Sequence, residues 1–201
     1  MAMLFDLHVH TDISPCSKMS LEDAILHAKE CGLDGICITD HHSMAGMRKV
    51  KEGPQSNGVC VIFGMEYSTT QGDFLIFGPY QHLPKGLDAL DLLAYVRATG
   101  GVAIGAHPFR RGRSIREDLF RTRFVKVAEG MNGRNNSDEN QVALTRLPRY
   151  GTALVGGSDA HNIEELGRVK TELPIKVLSR RDFIEAIRYL EDTNFPVKIY
   201  S

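Results

Sequence analysis

The sequence predicts an α/β fold: a largely parallel sheet with helices outside it, closing as a (β/α) barrel of about seven strands. Two observations carry this. Short β-rich apolar stretches alternate with amphipathic helical ones from end to end. Histidines and acids also sit at the C-terminal ends of many strands, whereas an open doubly wound sheet would gather them near one switch point. Neither G-x-G-x-x-G nor G-x-x-x-x-G-K-[ST] occurs, so neither a dinucleotide fold nor a P-loop is indicated.

The strands are expected at residues 4–9, 35–39, 59–65, 74–77, 102–106, 124–128 and 152–155, and the helices at 21–31, 87–99, 137–147 and 181–191. Strand 4–9 ends in His8 and His10, strand 35–39 in Asp40-His41-His42, and strand 59–65 in Glu66. Ser20 with Asp23 opens the first helix as a capping pattern and Gly32 closes it. Leu21, Ala24, Ile25 and Ala28 give that helix one apolar face. His107 follows strand 102–106, Glu129 ends strand 124–128, and Asp159 and His161 follow the last strand. Residues 52–58 form a turn-rich connection, and no repeat or domain linker is visible, so residues 1–201 read as a single domain.

Composition narrows the class. The chain has 24 basic and 25 acidic side chains and a formal net charge of −1, so an anionic partner must be held by a local patch. The start MAMLFDLHVH lacks the cationic opening and long apolar run of a secretory signal, and nothing approaches a membrane span. Four cysteines (Cys16, Cys31, Cys37, Cys60) show no C-x-x-C spacing. The expectation is a reduced, cytoplasmic setting and no membrane partner.

Six of the eight histidines fall just after predicted strands; only His27 and His82 do not, and these read as ordinary surface or structural residues. Residues two apart on a strand share a side, so His8 and His10 can grip one cation together, with Asp6 one step deeper. Glu66 can bridge, and Asp159 and His161 repeat the two-residue spacing. A single strand-end histidine is ordinarily just a hydrogen-bonded polar residue. Recurrence after five strands points instead to a cluster of divalent metals.

The motifs HVHT, ITDHH, GMEYS, AHP and GSDAH resemble the PHP family, named for polymerase and histidinol phosphatase, over essentially the full length and in its short stand-alone form. The resemblance implies a distorted seven-stranded (β/α) barrel, two or three Mn, Fe or Zn ions, and hydrolysis of phosphate esters. It further implies that His8, His10, Glu66 and Asp159 hold a first metal. Glu66 would bridge to a second also held by His107, and His41 and His161 would belong to a third.

Two positions depart from the family pattern. Where relatives carry a histidine before the strand FLIFG, this chain has Asp73, either an oxygen ligand suited to Mn or Fe or an exposed turn residue. Where relatives complete the third site, this chain has Pro15 and Cys16; Cys16 is either a thiolate ligand favouring Zn or a packed thiol, with Asp12 as the reserve ligand.

Between Arg110 and Arg123 stand six arginines opposed only by Glu117 and Asp118. Arginine's planar fork suits phosphate oxygens. Arg110 and Arg134, each just beyond a strand end, are the expected substrate-binding residues, and Arg116, Arg121 and Arg123 a solvated face. Glu129 is expected to orient a ligand or the backbone near Asn132. His161 or His42 is the candidate proton donor. The predicted activity is hydrolysis of a small nucleotide or sugar phosphate at a di- or trinuclear centre, with a metal-bound hydroxide as nucleophile. The rivals are a nuclease acting on short RNA or DNA ends and a non-catalytic, metal-stabilised module of the same family.

Overall fold

The computed structural model describes residues 2–193 and 195–201. Its strands divide into two mixed sheets. The first holds β1 (Met3–Val9), β2 (Gly35–Ile38), β3 (Gly53–Pro54), β4 (Cys60–Phe63), β10 (Lys170–Leu173) and β11 (Ile199–Tyr200), in the order β11-β10-β1-β2-β4-β3. The second holds β5 (Met65–Thr69), β6 (Gly72–Phe77), β7 (Val102–Gly105), β8 (Val127–Asn132) and β9 (Ala153–Gly157), in chain order.

The expected distorted seven-stranded barrel does not appear as one closed sheet: no continuous hydrogen-bonded ring forms among the described residues. Two isolated parallel bridges, Val9 with Ala160 and His41 with Glu66, are what join the sheets. The expected strand 59–65 is in fact two. The chain bends at Gly64, where a Cβ would lie 2.6 Å from the Phe77 ring, and crosses from the first sheet to the second. β5 and β6 then form an antiparallel hairpin rather than parallel strands, paired from Met65–Ile76 to Thr69–Gly72. Thr69 ties that turn, accepting from the Gln71 amide at 3.0 Å and donating to the Gly72 carbonyl at 2.7 Å. The β1–β2, β2–β4, β7–β8 and β8–β9 pairs are parallel, as expected.

The helices lie close to expectation: α1 (Leu21–Glu30), α2 (Ala89–Ala98), α4 (Ser137–Arg146) and α5 (Arg180–Thr193), with a short α3 (Glu117–Arg121) not foreseen. Ser20 accepts from the Asp23 amide to cap α1, and Asn136 and Glu139 form a reciprocal capping box on α4. Buried Phe183, Ala186, Ile187 and Leu190 give α5 one apolar face. That face packs on residues from both sheets, among them Phe5, Ile62, Phe77, Ile104 and Val155. A second cluster joins the outer face of the sheets to α1, α2 and α4 through Ile36, Ile38, Leu92 and Ala143. No helix is long and apolar enough to cross a membrane.

Candidate metal centre

The polar residues that open from the strand ends are buried, which is costly unless each finds a partner. Asp6, His8, His10, Asp40, Glu66, Asp73, His107, Glu129 and Asp159 are all at most 4% exposed. β1 brings His8 and His10 together with their Nε2 atoms 3.0 Å apart. Glu66 Oε2 lies 3.4 Å from His8 Nε2 and 3.2 Å from His10 Nε2, and Asp159 Oδ1 lies 3.6 and 3.3 Å from the same two atoms. These are the separations of donors that share a cation at about 2.0–2.2 Å.

Glu66 reaches both ways. Its Oε1 is 2.9 Å from His107 Nε2, and Asp73 Oδ2 is 3.8 Å from that nitrogen. Its Oε2 is 3.1 Å from His41 Nδ1. Three overlapping donor groups result: His8–His10–Glu66, Glu66–Asp73–His107, and His10–His41–His161. The exposed-turn alternative for Asp73 is overturned, since it is 4% exposed and its Oδ2 has no hydrogen-bond partner among the described residues. His107 Nδ1 is likewise unpartnered. Crowded carboxylates, converging ring nitrogens and an orphaned buried oxygen are a donor set that divalent Mn, Fe or Zn would satisfy.

Burial depresses the His8 imidazolium, but Asp159, Glu129 and Glu66 outweigh it and hold His8 well above the ordinary histidine range. Burial would raise Glu66 and Asp159, yet His8 and His10 hold both carboxyls below their usual values. His41 is pushed down to about 4, by burial first. Protons and neighbouring side chains carry here the charge balance that cations would take over.

The supporting residues explain the local folding. Glu129 Oε1 accepts from His8 Nδ1 at 2.9 Å and its Oε2 accepts from the His107 amide at 2.7 Å. This fixes the His8 ring with its Nε2 toward the cluster. Irregular registers fall beside both partners, in β1 between Asp6 and Val9 and in β8 between Glu129 and Met131, as bulges do where side chains must be re-aimed. A Cβ at Gly157 would lie 2.6 Å from His8 Cβ and 2.9 Å from Glu129 Oε1, so only glycine admits this contact. His107 and Asp159 hold left-handed backbones, with φ of 31° and 56°. Such conformations persist where surroundings over-determine them.

Two further acids went unassigned in the sequence. Asp40 accepts from the Thr11 amide, Thr11 Oγ1 and Ser14 Oγ, pinning the loop after β1. Asp6 accepts from the amides of His8, Ser158 and Gly167 and from Ser158 Oγ, and burial pushes it up to about 6. Both sit within motifs that contain them, but motif spacing says nothing about which way a carboxylate turns. Glu129 was expected at a strand end; it lies inside β8, because that strand starts at Val127 and Phe124 is 49% exposed.

Several expected roles find different geometry. Cys16 is exposed and in none of the donor groups. His161 Nδ1 donates to the Asp159 carbonyl at 2.8 Å while its ring lies 4.4 Å from that of His10, so it stands with the donors. His42 lies in none of the groups: its Nε2 accepts from the Ser68 amide at 3.4 Å and its ring meets Tyr67 edge-on. Arg110 is drawn inward, its Nη2 2.9 Å from Asp159 Oδ2 and 2.6 Å from Asn132 Oδ1, its Nε 2.8 Å from Asn135 Oδ1. Arg134 is 43% exposed at the rim and 3.8 Å from Glu165.

Comparison with known proteins agrees with this geometry. Residues 6–145 match the PHP domain and residues 137–190 the PHP-associated segment. An uncharacterised protein of Methanocaldococcus jannaschii is 30% identical over 94% of this chain and 81% of its own length. A protein of Caldicellulosiruptor bescii named a probable phosphatase is 28% identical over 89% of this chain and 87% of its own. A lesion-specific endonuclease of Pyrococcus furiosus shares the fold, with a TM-score of 0.72 and 18% identity across 99% of this chain and 58% of that one. With its strand-end histidines and acids gathered into one buried donor cluster, this chain belongs to the PHP family of metal-dependent hydrolases.

Proposed function

We propose that this chain hydrolyses a phosphate ester of a small molecule, a nucleotide or sugar phosphate, at a centre of two or three divalent cations. The observation that carries the reading is the overlap of three donor groups through the shared residues His10 and Glu66. His8, His10, Glu66 and Asp159 would hold one cation, Glu66, Asp73 and His107 a second, and His10, His41 and His161 a third. Bound there, the cations would polarise the phosphoryl oxygens and lower the pKa of water, so no serine or cysteine nucleophile is required.

The chain's own groups prepare that chemistry. Glu129 keeps His8 in its ligand tautomer. Arg110 restrains Asp159 with one guanidinium nitrogen while Asn132 and Asn135 hold the rest of the fork. Arg134, 43% exposed and only 3.8 Å from Glu165, would have to give up little to meet an anion. The proton for the leaving oxygen is assigned to water, because His161 Nδ1–H is committed to a carbonyl and His42, its Nε2 bonded to the Ser68 amide and its Nδ1 buried, lies outside the donor groups. Ligands come from both sheets, which supports residues 1–201 acting as one domain.

A nuclease on short RNA or DNA ends is the second reading, favoured by the arginine-rich stretch beside the site. That stretch is largely spent internally: Arg116 pairs with Asp118, Arg121 with Glu117, and Arg123 donates to the Tyr150 and Gly151 carbonyls. With Arg110 also turned inward, Arg111 and Arg113 are left as the less committed cations of the stretch, which suits a small anion better than a long polyanion. The test is turnover of nucleotide, sugar and dinucleotide phosphates by metal-stripped protein reloaded separately with Mn, Fe or Zn. Turnover of a monophosphate supports the proposal, and preference for dinucleotides moves it to the nuclease. Stoichiometric metal with no turnover under any of the three ions would overturn both in favour of a non-catalytic module.

A further inference from the structure

The loop 107–115 carries two arginines to two different carboxylates of the cluster, and it treats them unequally. The loop is rigid: Arg110 N bonds the His107 carbonyl at 2.9 Å, Arg113 N the Arg110 carbonyl at 3.0 Å, and Ile115 N the Pro108 carbonyl at 2.9 Å. Ser114 Oγ adds a bond to the Arg110 carbonyl. Arg110 is 20% exposed and fully engaged with Asp159, Asn132 and Asn135. Arg113 is 51% exposed and makes a single long approach, 3.6 Å from its Nη1 to Asp73 Oδ2. Asp73 Oδ2 is a buried oxygen with no hydrogen-bond partner among the described residues. Arg113 therefore sits over the Asp73 side of the cluster, half-exposed to solvent.

We propose that Arg113 is the residue that grips the substrate's phosphate oxygens, and that it stands in over Asp73 only until a cation takes that carboxylate. The argument rests on the phosphoesterase reading above. A guanidinium with three short partners cannot turn to substrate without abandoning them; one with a single 3.6 Å neighbour gives up little. Once a divalent ion is held by Asp73, Glu66 and His107, the attraction that draws Arg113 inward is cancelled. A planar, half-exposed fork then faces the space where a phosphoryl group must lie. The same exchange makes Arg113 a weak competitor for the metal at Asp73.

The test uses the whole chain loaded with Mn. Inorganic phosphate, binding without turnover, is the probe, titrated calorimetrically into wild type, Arg113→Ala, Arg113→Lys and Arg116→Ala. Expected is a loss of phosphate affinity of roughly ten- to a hundred-fold for Arg113→Ala, a partial recovery for Arg113→Lys, and none for Arg116→Ala. On a monophosphate substrate the loss should fall on KM more than kcat. Mn content should be unchanged and Mn affinity of the phosphate-free protein equal or tighter. Wild-type phosphate affinity in Arg113→Ala overturns the proposal, whatever the enzyme turns over. Lower Mn content in Arg113→Ala also overturns it, since that residue would then be holding the centre together. Absence of turnover in wild type counts against the phosphoesterase reading, while the phosphate titration still decides the role of Arg113.

Discussion

Two charged regions of this molecule are built on opposite principles. Glu52 and Arg180, 19% and 15% exposed, form a fork-to-fork pair with contacts of 3.0 and 2.8 Å. Every remaining function there is used: Glu52 Oε1 also accepts the Phe63 amide, and Arg180 Nη1 donates to the Gly78 carbonyl. The pair stitches the end of β4 to the end of β6 and the start of α5. In the strand-end cluster, by contrast, Glu66, Asp73 and Asp159 meet ring nitrogens at 2.9–3.8 Å, and Asp73 Oδ2 and His107 Nδ1 have no hydrogen-bond partner among the described residues. A satisfied, largely buried pair is architecture; an unsatisfied buried donor set is one that divalent cations would complete.

The sharpest way to break this contrast is Asp159→Asn. The amide keeps the shape but loses the charge, so metal content should fall and kcat/KM drop about a thousand-fold or more, while circular dichroism stays native. Full metal occupancy with near-normal turnover would remove Asp159 from the cluster. On the other side, Arg180→Ala should lower unfolding free energy by about 2–3 kcal/mol, because Glu52 and the Gly78 carbonyl lose their donors. Metal bound per folded molecule should not change; if it does, the two regions are coupled.

A finer probe is Glu129→Gln. It keeps a hydrogen bond to His8 but weakens its orientation, so metal affinity should fall roughly ten- to a hundred-fold, measured by competition with a chromogenic chelator. An unchanged affinity would show that the backbone alone aims His8.

The smallest effect is in pH. His8 lies well above its ordinary value in the metal-free fold, so its contribution to stability is complete below about pH 6.5 and is lost as pH rises through the raised value. Metal binding must displace that proton, so affinity should strengthen by about tenfold per pH unit for each proton released. Thermal unfolding with and without chelator should therefore show metal stabilisation growing with pH, and calorimetry in two buffers should count the protons. Stabilisation that is flat with pH would mean His8 is already neutral before metal arrives.

Much of this could be read from the chain alone. The donor positions after β1, β2 and β9 were visible because strands have a period of two and the histidines recur at their ends. The capped α1 and the boundaries of α4 were legible for the same local reason. Local pattern also placed the break between strand and helix almost everywhere. It could not say that residues 59–69 belong to two sheets, since which strands pair is set by contacts remote in sequence; the antiparallel β5–β6 hairpin is local, but reading 59–65 as one strand hid it.

The site divides along the same line. Sequence determined which residue types are delivered to the strand ends, because short-range periodicity and turn chemistry act on neighbours. Tertiary structure alone decided their company: Glu129 bonds His8 across 121 residues, Asp6 bonds Ser158 across 152, and Arg110 turns to Asp159 instead of outward. It also left Cys16 outside the donor groups and brought Asp73 within one. The physical reason is that a side chain's role here depends on which buried charge faces it, and that is fixed only when two sheets close over a common space.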